Sequence, residues 1–201
     1  MRILRWCIGP FLVFGTSPAH AHSPFPGIEG FYVGLIHPFS TPSQALLMFG
    51  LGLLIGGFET QKVRWLLAAF VAATFAGILM GPGSIEFETA MFAIAFVACA
   101  WAALVPGKLL PIAVVLPAIG GVLIGMASVP DPGPAIDRLV TMFGSIVGAN
   151  IGLVYIWAII YIVKERYSWA WVDIGFRVLA AWLGAISLVM LALGFATNNA
   201  A

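Results

Sequence analysis

The sequence predicts an all-α polytopic membrane protein, a six-helix transmembrane bundle behind a cleaved N-terminal signal. Three observations predict it. Hydrophobic residues make up 62% of the 201 residues and charged ones 8%, against about 25% charged in an ordinary soluble domain. Six long apolar runs are separated by short polar breaks. The first 21 residues have the layout of a secretory signal. In lipid a backbone without internal hydrogen bonds is too costly, and runs of this length and composition point to helices.

The N-terminal segment comes first. Arg2 and Arg5 precede the apolar stretch Trp6 to Phe14, and Ala19-His20-Ala21 supplies the small-residue cleavage site. The apolar part is too short to span well, so a processed signal over 1–21 is expected, the alternative being an uncleaved anchor. Cleavage after Ala21 would leave a single six-span domain over 22–201, expose His22 as the new N-terminus and remove Cys7.

The six spans are expected at Ser43–Phe58, Val63–Met80, Glu88–Val105, Leu109–Val129, Leu139–Val163 and Ile174–Ala196. A span needs about 20 residues, so the first two are short. The breaks at 59–64, 81–84, 106–108, 130–134 and 164–166 leave no room for a soluble domain. A cleaved signal places the mature N-terminus outside. Lys62, Arg64, Lys108, Lys164, Arg166 and Arg177 then fall on or near the cytoplasmic side, and Arg138 falls outside. This distribution obeys the positive-inside rule. It places both termini on the periplasmic side of a bacterial inner membrane.

Without Arg2 and Arg5 the nine basic residues become seven against eight acidic ones. No basic surface for nucleic acid results, and the lipid bilayer is the expected environment. Cys99, mid-span, reads as a packing residue. Small residues recur four apart at Gly52/Gly56, Gly77/Gly81, Gly121/Gly125 and Gly144/Gly148/Gly152. Such spacing lets helix backbones approach closely, and the triple assigns one face of the fifth span to the bundle interior. Pro111 and Pro117 are expected to kink the fourth span. Trp65, Trp101, Trp157, Trp169 and Trp171 lie near span ends, as interfacial anchors do.

The polar residues left in the apolar runs are the candidates for chemistry. The stretch from His37 to Leu53 holds His37-Pro38, Ser40, Ser43, Gln44, Leu46, Met48 and Gly52-Leu53. This pattern resembles the hydrogenase/urease accessory family (HupE/UreJ), six-span proteins regarded as nickel or cobalt permeases. The family motif runs His-Pro-x-x-Gly-x-Asp-His, then Leu-Ala-Met and a Val-Gly-Leu step. His37, Pro38, Leu46, Met48, Gly52 and Leu53 match it in spacing. A histidine directly after the Ala-x-Ala site, here His22, and Ser84-Ile85-Glu86 before the third span are also family-like. The resemblance implies a nickel or cobalt ion as cargo and no resident cofactor.

The departures from the motif are chemical. Ser43-Gln44 replaces the family's Asp-His pair, 118–125 lacks the histidines expected in the fourth span, and Asn150 stands where the fifth offers another. Imidazole and carboxylate suit Ni²⁺ and Co²⁺, whereas amide and hydroxyl oxygens are poorer ligands. The candidate metal ligands are therefore His37, Glu86 and His22, the last able to chelate through its α-amino group and imidazole. Ser43, Gln44 and Asn150 are the candidate substrate path. A structural reading also fits these residues. His37-Pro38 would start a helix, Gln44 and Asn150 would bond between helices, and Glu86 would sit favourably at a helix N-terminus.

Two functions fit the sequence. One is a divergent permease for a transition-metal cation. The other is a non-transporting accessory or scaffold that binds a second membrane protein, or its own copy, through glycine-rich faces. An enzyme is not expected: the spans hold no paired acids at mid-membrane, no metalloprotease motif and no nucleophile–base spacing.

Overall fold

The computed structural model describes residues 29–81, 87–130 and 133–198. The predicted signal over 1–21, His22 and Glu86 lie outside the described residues. Within them the chain is entirely helical: α1 Glu29–Ser40, α2 Pro42–Gly56, α3 Thr60–Met80, α4 Glu88–Leu104, α5 Leu110–Ala113, α6 Val115–Ala127, α7 Ala135–Arg166 and α8 Ala170–Asn198.

Four segments among these are long and apolar enough to cross a bilayer: α3, α5–α6 together, α7 and α8. The α1–α2 pair makes a fifth if it is taken as one broken span, and α4 is apolar but only 17 residues long. The protein is thus an all-α, multi-pass membrane protein with four to five spans by this measure, against the six expected. At 32 residues α7 is about 48 Å long and overshoots a hydrocarbon core of about 30 Å. Its charged ends, Asp137-Arg138 and Lys164-Glu165-Arg166, can therefore reach water.

The first span differs most from expectation. The stretch expected at Ser43–Phe58 is α2, but an unexpected helix, α1, precedes it and meets it at 69°, as in a broken span or a re-entrant loop. Pro42 causes the break. Its ring disfavours a helical residue before it, and Thr41 is extended at φ −94°, ψ 116°. Pro42 then opens α2, where its missing N–H costs nothing. His37 is accordingly in the last turn of α1, with Pro38 inside that helix, and does not start a helix as the structural reading supposed.

The fourth span bears on the two prolines expected to kink it. Pro111 lies at the start of α5, where it opens the helix. Pro117 cannot donate to the carbonyl of Ala113, which separates α5 from α6 while the backbone of Val114 between them stays helical at φ −63°, ψ −26°. Leu109, just before α5, adopts a left-handed φ of 57°, a conformation that is strained for a branched side chain.

Close backbone contact joins the main helix pairs. Gly144, Gly148 and Gly152 meet Phe31, Leu35 and Phe39 of α1 in order, so α1 and α7 run parallel and the small face of α7 does point inward. A Cβ at Gly144 or Gly148 would overlap the carbonyl of Phe31 or Leu35. Farther along α7, Ile156 and Ile160 fill the space over Gly52 and Gly56 of α2. A second parallel pair, α3 with α6, brings Gly121 and Gly125 onto the backbone of Phe70 and Thr74. The core between these pairs is made by Leu47, Leu51, Leu54, Met91, Ile124 and Leu153, all buried. With little hydrophobic drive between helices in lipid, such fitted contact is what holds the bundle together.

Candidate functional site at the break in the first span

The break gathers the polar residues of the first span. Carbonyl oxygen of His37 accepts from the backbone N–H of Thr41 and from the Ser40 hydroxyl, both at 3.2 Å. These bonds close the end of α1. Across the break, Gln44 Nε2 lies 3.2 Å from His37 Nε2. The amide N–H donates and the imidazole accepts, which puts the ring proton on Nδ1 and holds a neutral imidazole against the start of α2. Ser43 and Gln44 are 1% and 2% exposed, while His37 is half-buried.

The unpaired atoms are the most informative. Four buried side-chain polar atoms lack a hydrogen-bond partner among the described residues: Ser43 Oγ, Gln44 Oε1, Asn150 Oδ1 and Arg138 Nε. Three of the four belong to the candidate path. Asn150 spends its Nδ2 on the carbonyl of Ile146 in its own helix, 2.9 Å away, and makes no interhelical bond among the described residues. Its height is set by its neighbours. Leu35 faces Gly148 and Phe39 faces Gly152, so Asn150 lies level with His37 along the α1·α7 pair. The interhelical bond expected of Asn150 is therefore not formed, and Gln44 bonds across a break within one span instead.

An unpaired buried oxygen costs about 1–3 kcal/mol. Two at the break, and a third at the height of His37 on α7, are sustained most simply when water or a passing solute completes them. The acceptors at the break are neutral: imidazole, amide and hydroxyl. Among the described residues no group of three or more His, Cys, Asp or Glu comes together to hold a metal. Glu88, at the start of α4, is exposed. His37 is thus the one described member of the predicted ligand set His37, Glu86 and His22.

Two polar features were not anticipated. Ser128 at the end of α6 and Ser145 on α7 are both buried with their hydroxyls 2.7 Å apart, and Ser128 also donates to the carbonyl of Ile124 at 2.7 Å. Ser145 follows Gly144 on the small-residue face, which was its only signal in sequence. At the other end of the bundle, Lys164, Asp173 and Arg177 border a cavity of about 270 Å³. Sequence reading had used the two cations only to orient the chain.

The fold and the break define a class: a multi-pass helical membrane protein whose first span is interrupted beside buried, unpaired polar groups. Discontinuous helices of this kind line solute sites in many transporters. Residues 11–89 match the family model described as HupE / UreJ protein, which supports assigning the chain to that family as a divergent member. The match covers under half of the chain, but includes α1, the break, α2 and α3. No curated protein and no solved structure matches the chain.

Proposed function

We propose that this chain is a divergent HupE/UreJ-like permease for a transition-metal cation, nickel or cobalt, whose path crosses the break in the first span. The observation that carries the reading is the interruption at Thr41-Pro42, where His37 and Gln44 are bonded and Ser43 Oγ and Gln44 Oε1 stay buried without partners. The family match over the same residues supports it.

In this reading His37 is the principal nitrogen ligand, with Glu86 and His22 completing the set on the outer side. Ser43, Gln44 and Asn150 would then pass a partly hydrated ion along, replacing some of its water with their oxygens. Few strong donors mean weak capture and easy release, which suits passage better than storage. Six spans, a processed signal over 1–21 and both termini on the periplasmic side complete the proposal. Its support is the gathering of Lys62, Arg64, Lys108, Lys164 and Arg166 at one set of loops.

The test is uptake of Ni²⁺ and Co²⁺ into liposomes holding the purified protein. Saturable uptake that His37→Ala abolishes is expected. Uptake by neither protein, with stable copurification of a membrane partner, would favour the scaffold reading instead.

A further inference from the structure

The cavity of about 270 Å³ lies at the opposite end of the bundle from the break, where α2 and α4 end. Gly56, Gly57, Pro106, Lys164, Asp173 and Arg177 are among the residues that line it. Two cations and one carboxylate leave it one positive charge in excess. Lys164 Nζ lies 2.9 Å from Asp173 Oδ1 and donates to the carbonyl of Gly56 at 3.1 Å, which leaves a third N–H. Arg177 spends only Nε, on the carbonyl of Ala103 at 2.7 Å. Its two terminal nitrogens have no protein partner among the described residues. Both cations are thus anchored at helix C-termini with donors to spare. That arrangement repels a cation and suits a phosphate oxygen.

Phe176 forms a wall of this cavity and also of an apolar groove of about 300 Å³. Tyr167, Trp169, Trp171, Gly175 and Leu179 line that groove, which is almost wholly apolar. Successive rings of Tyr167, Trp169 and Trp171 lie 5.5 and 5.4 Å apart. Such an aromatic cluster belongs at headgroup depth, with the basic cavity on one side and the hydrocarbon on the other.

We infer that the basic cavity and the adjoining groove form one binding site for an anionic phospholipid. The phosphodiester bonds Lys164 and Arg177, and one acyl chain lies in the groove past Gly175. Charge complementarity selects an anionic over a zwitterionic headgroup, because the choline cation of phosphatidylcholine offsets its phosphate and leaves the excess positive charge of the cavity uncompensated. On the expected orientation this end faces the cytoplasm, where anionic lipid and basic pockets between spans are commonly matched. The inference does not depend on what the protein transports.

Native mass spectrometry of the purified full chain, titrated with phosphatidylglycerol and separately with phosphatidylcholine, tests it. Phosphatidylglycerol should be retained with at least about a fivefold preference, the value of one net basic charge at a membrane surface. Lys164→Gln with Arg177→Gln should erase that preference. Because Lys164 also caps α2, Arg177→Gln alone provides a second variant and should reduce the preference. A Cβ at Gly175 meets nothing within 4 Å. Gly175→Leu should therefore fold, obstruct the groove and weaken phosphatidylglycerol binding while glycerol 3-phosphate fails to compete. Equal retention of both lipids by the wild type would overturn the proposal. So would full competition by glycerol 3-phosphate with no effect of Gly175→Leu, which would mark a soluble anion as the ligand.

Discussion

The break in the first span and the cavity beneath Lys164 are two polar places in one apolar bundle, satisfied in opposite ways. At the break the groups are neutral and buried or half-buried, and two oxygens on α2, with a third on α7 at the height of His37, have no partner among the described residues. At the cavity the groups are charged and half-exposed or exposed, and each cation is fastened to a helix end or a carboxylate. Incomplete pairing deep in lipid is costly, so it is most easily kept where a solute or water completes it. Anchoring at a span end, with donors left over for a ligand, costs little and fixes geometry. On the proposed readings, the difference separates a path from a docking point.

The largest expected effect comes from forcing the two parallel helices apart. Gly148→Leu would push against the carbonyl of Leu35, and the strain should exceed about 3 kcal/mol, beyond the usual cost of overpacking. Thermal unfolding in detergent should show loss of a cooperative transition, with both sites lost together. His37→Ala is next: metal uptake should disappear while the unfolding midpoint moves little, because its one side-chain bond among the described residues is to Gln44. Gln44→Leu sharpens the contrast, since it removes a buried oxygen that has no partner. It also removes the donor to His37, so the two effects offset: stability should change by no more than about 1 kcal/mol while uptake falls several-fold. Asp173→Asn breaks an ion pair whose carboxylate is 69% exposed and should cost under about 1 kcal/mol. Its effect should be read in lipid retention, where the added net charge strengthens phosphatidylglycerol binding.

Much of the fold was legible because lipid imposes a simple rule on length and polarity. The helix expected at Glu88–Val105 is α4 at Glu88–Leu104, though it is too short to count among the spans, and those expected at Val63–Met80 and Ile174–Ala196 differ from α3 and α8 by at most four residues at either end. α1 was not legible. Two glycines, a glutamate and a proline in 12 residues look like a loop, and only packing against the glycine face of α7 makes them helical. Pro111 was misjudged because the same residue kinks a helix from inside and opens one from its first turn.

For the site, His37, Ser43 and Gln44 were legible as neighbours through helical spacing. Whether an oxygen has a partner depends on atoms far away in sequence. That Asn150 would bond its own helix and leave Oδ1 unpaired could not be read from Gly148-Ala149-Asn150. Lys164 meets the carbonyl of Gly56, 108 residues away, and no local pattern announces such a contact.

Parallel Ni²⁺ and Co²⁺ uptake assays of wild type, His37→Ala and the Lys164→Gln, Arg177→Gln pair test the account most directly. All three would be in phosphatidylcholine liposomes, which hold no anionic lipid. Uptake lost with His37→Ala and retained by the pair is predicted. Uptake that survives His37→Ala, or that fails only in the pair, would contradict a path through the break.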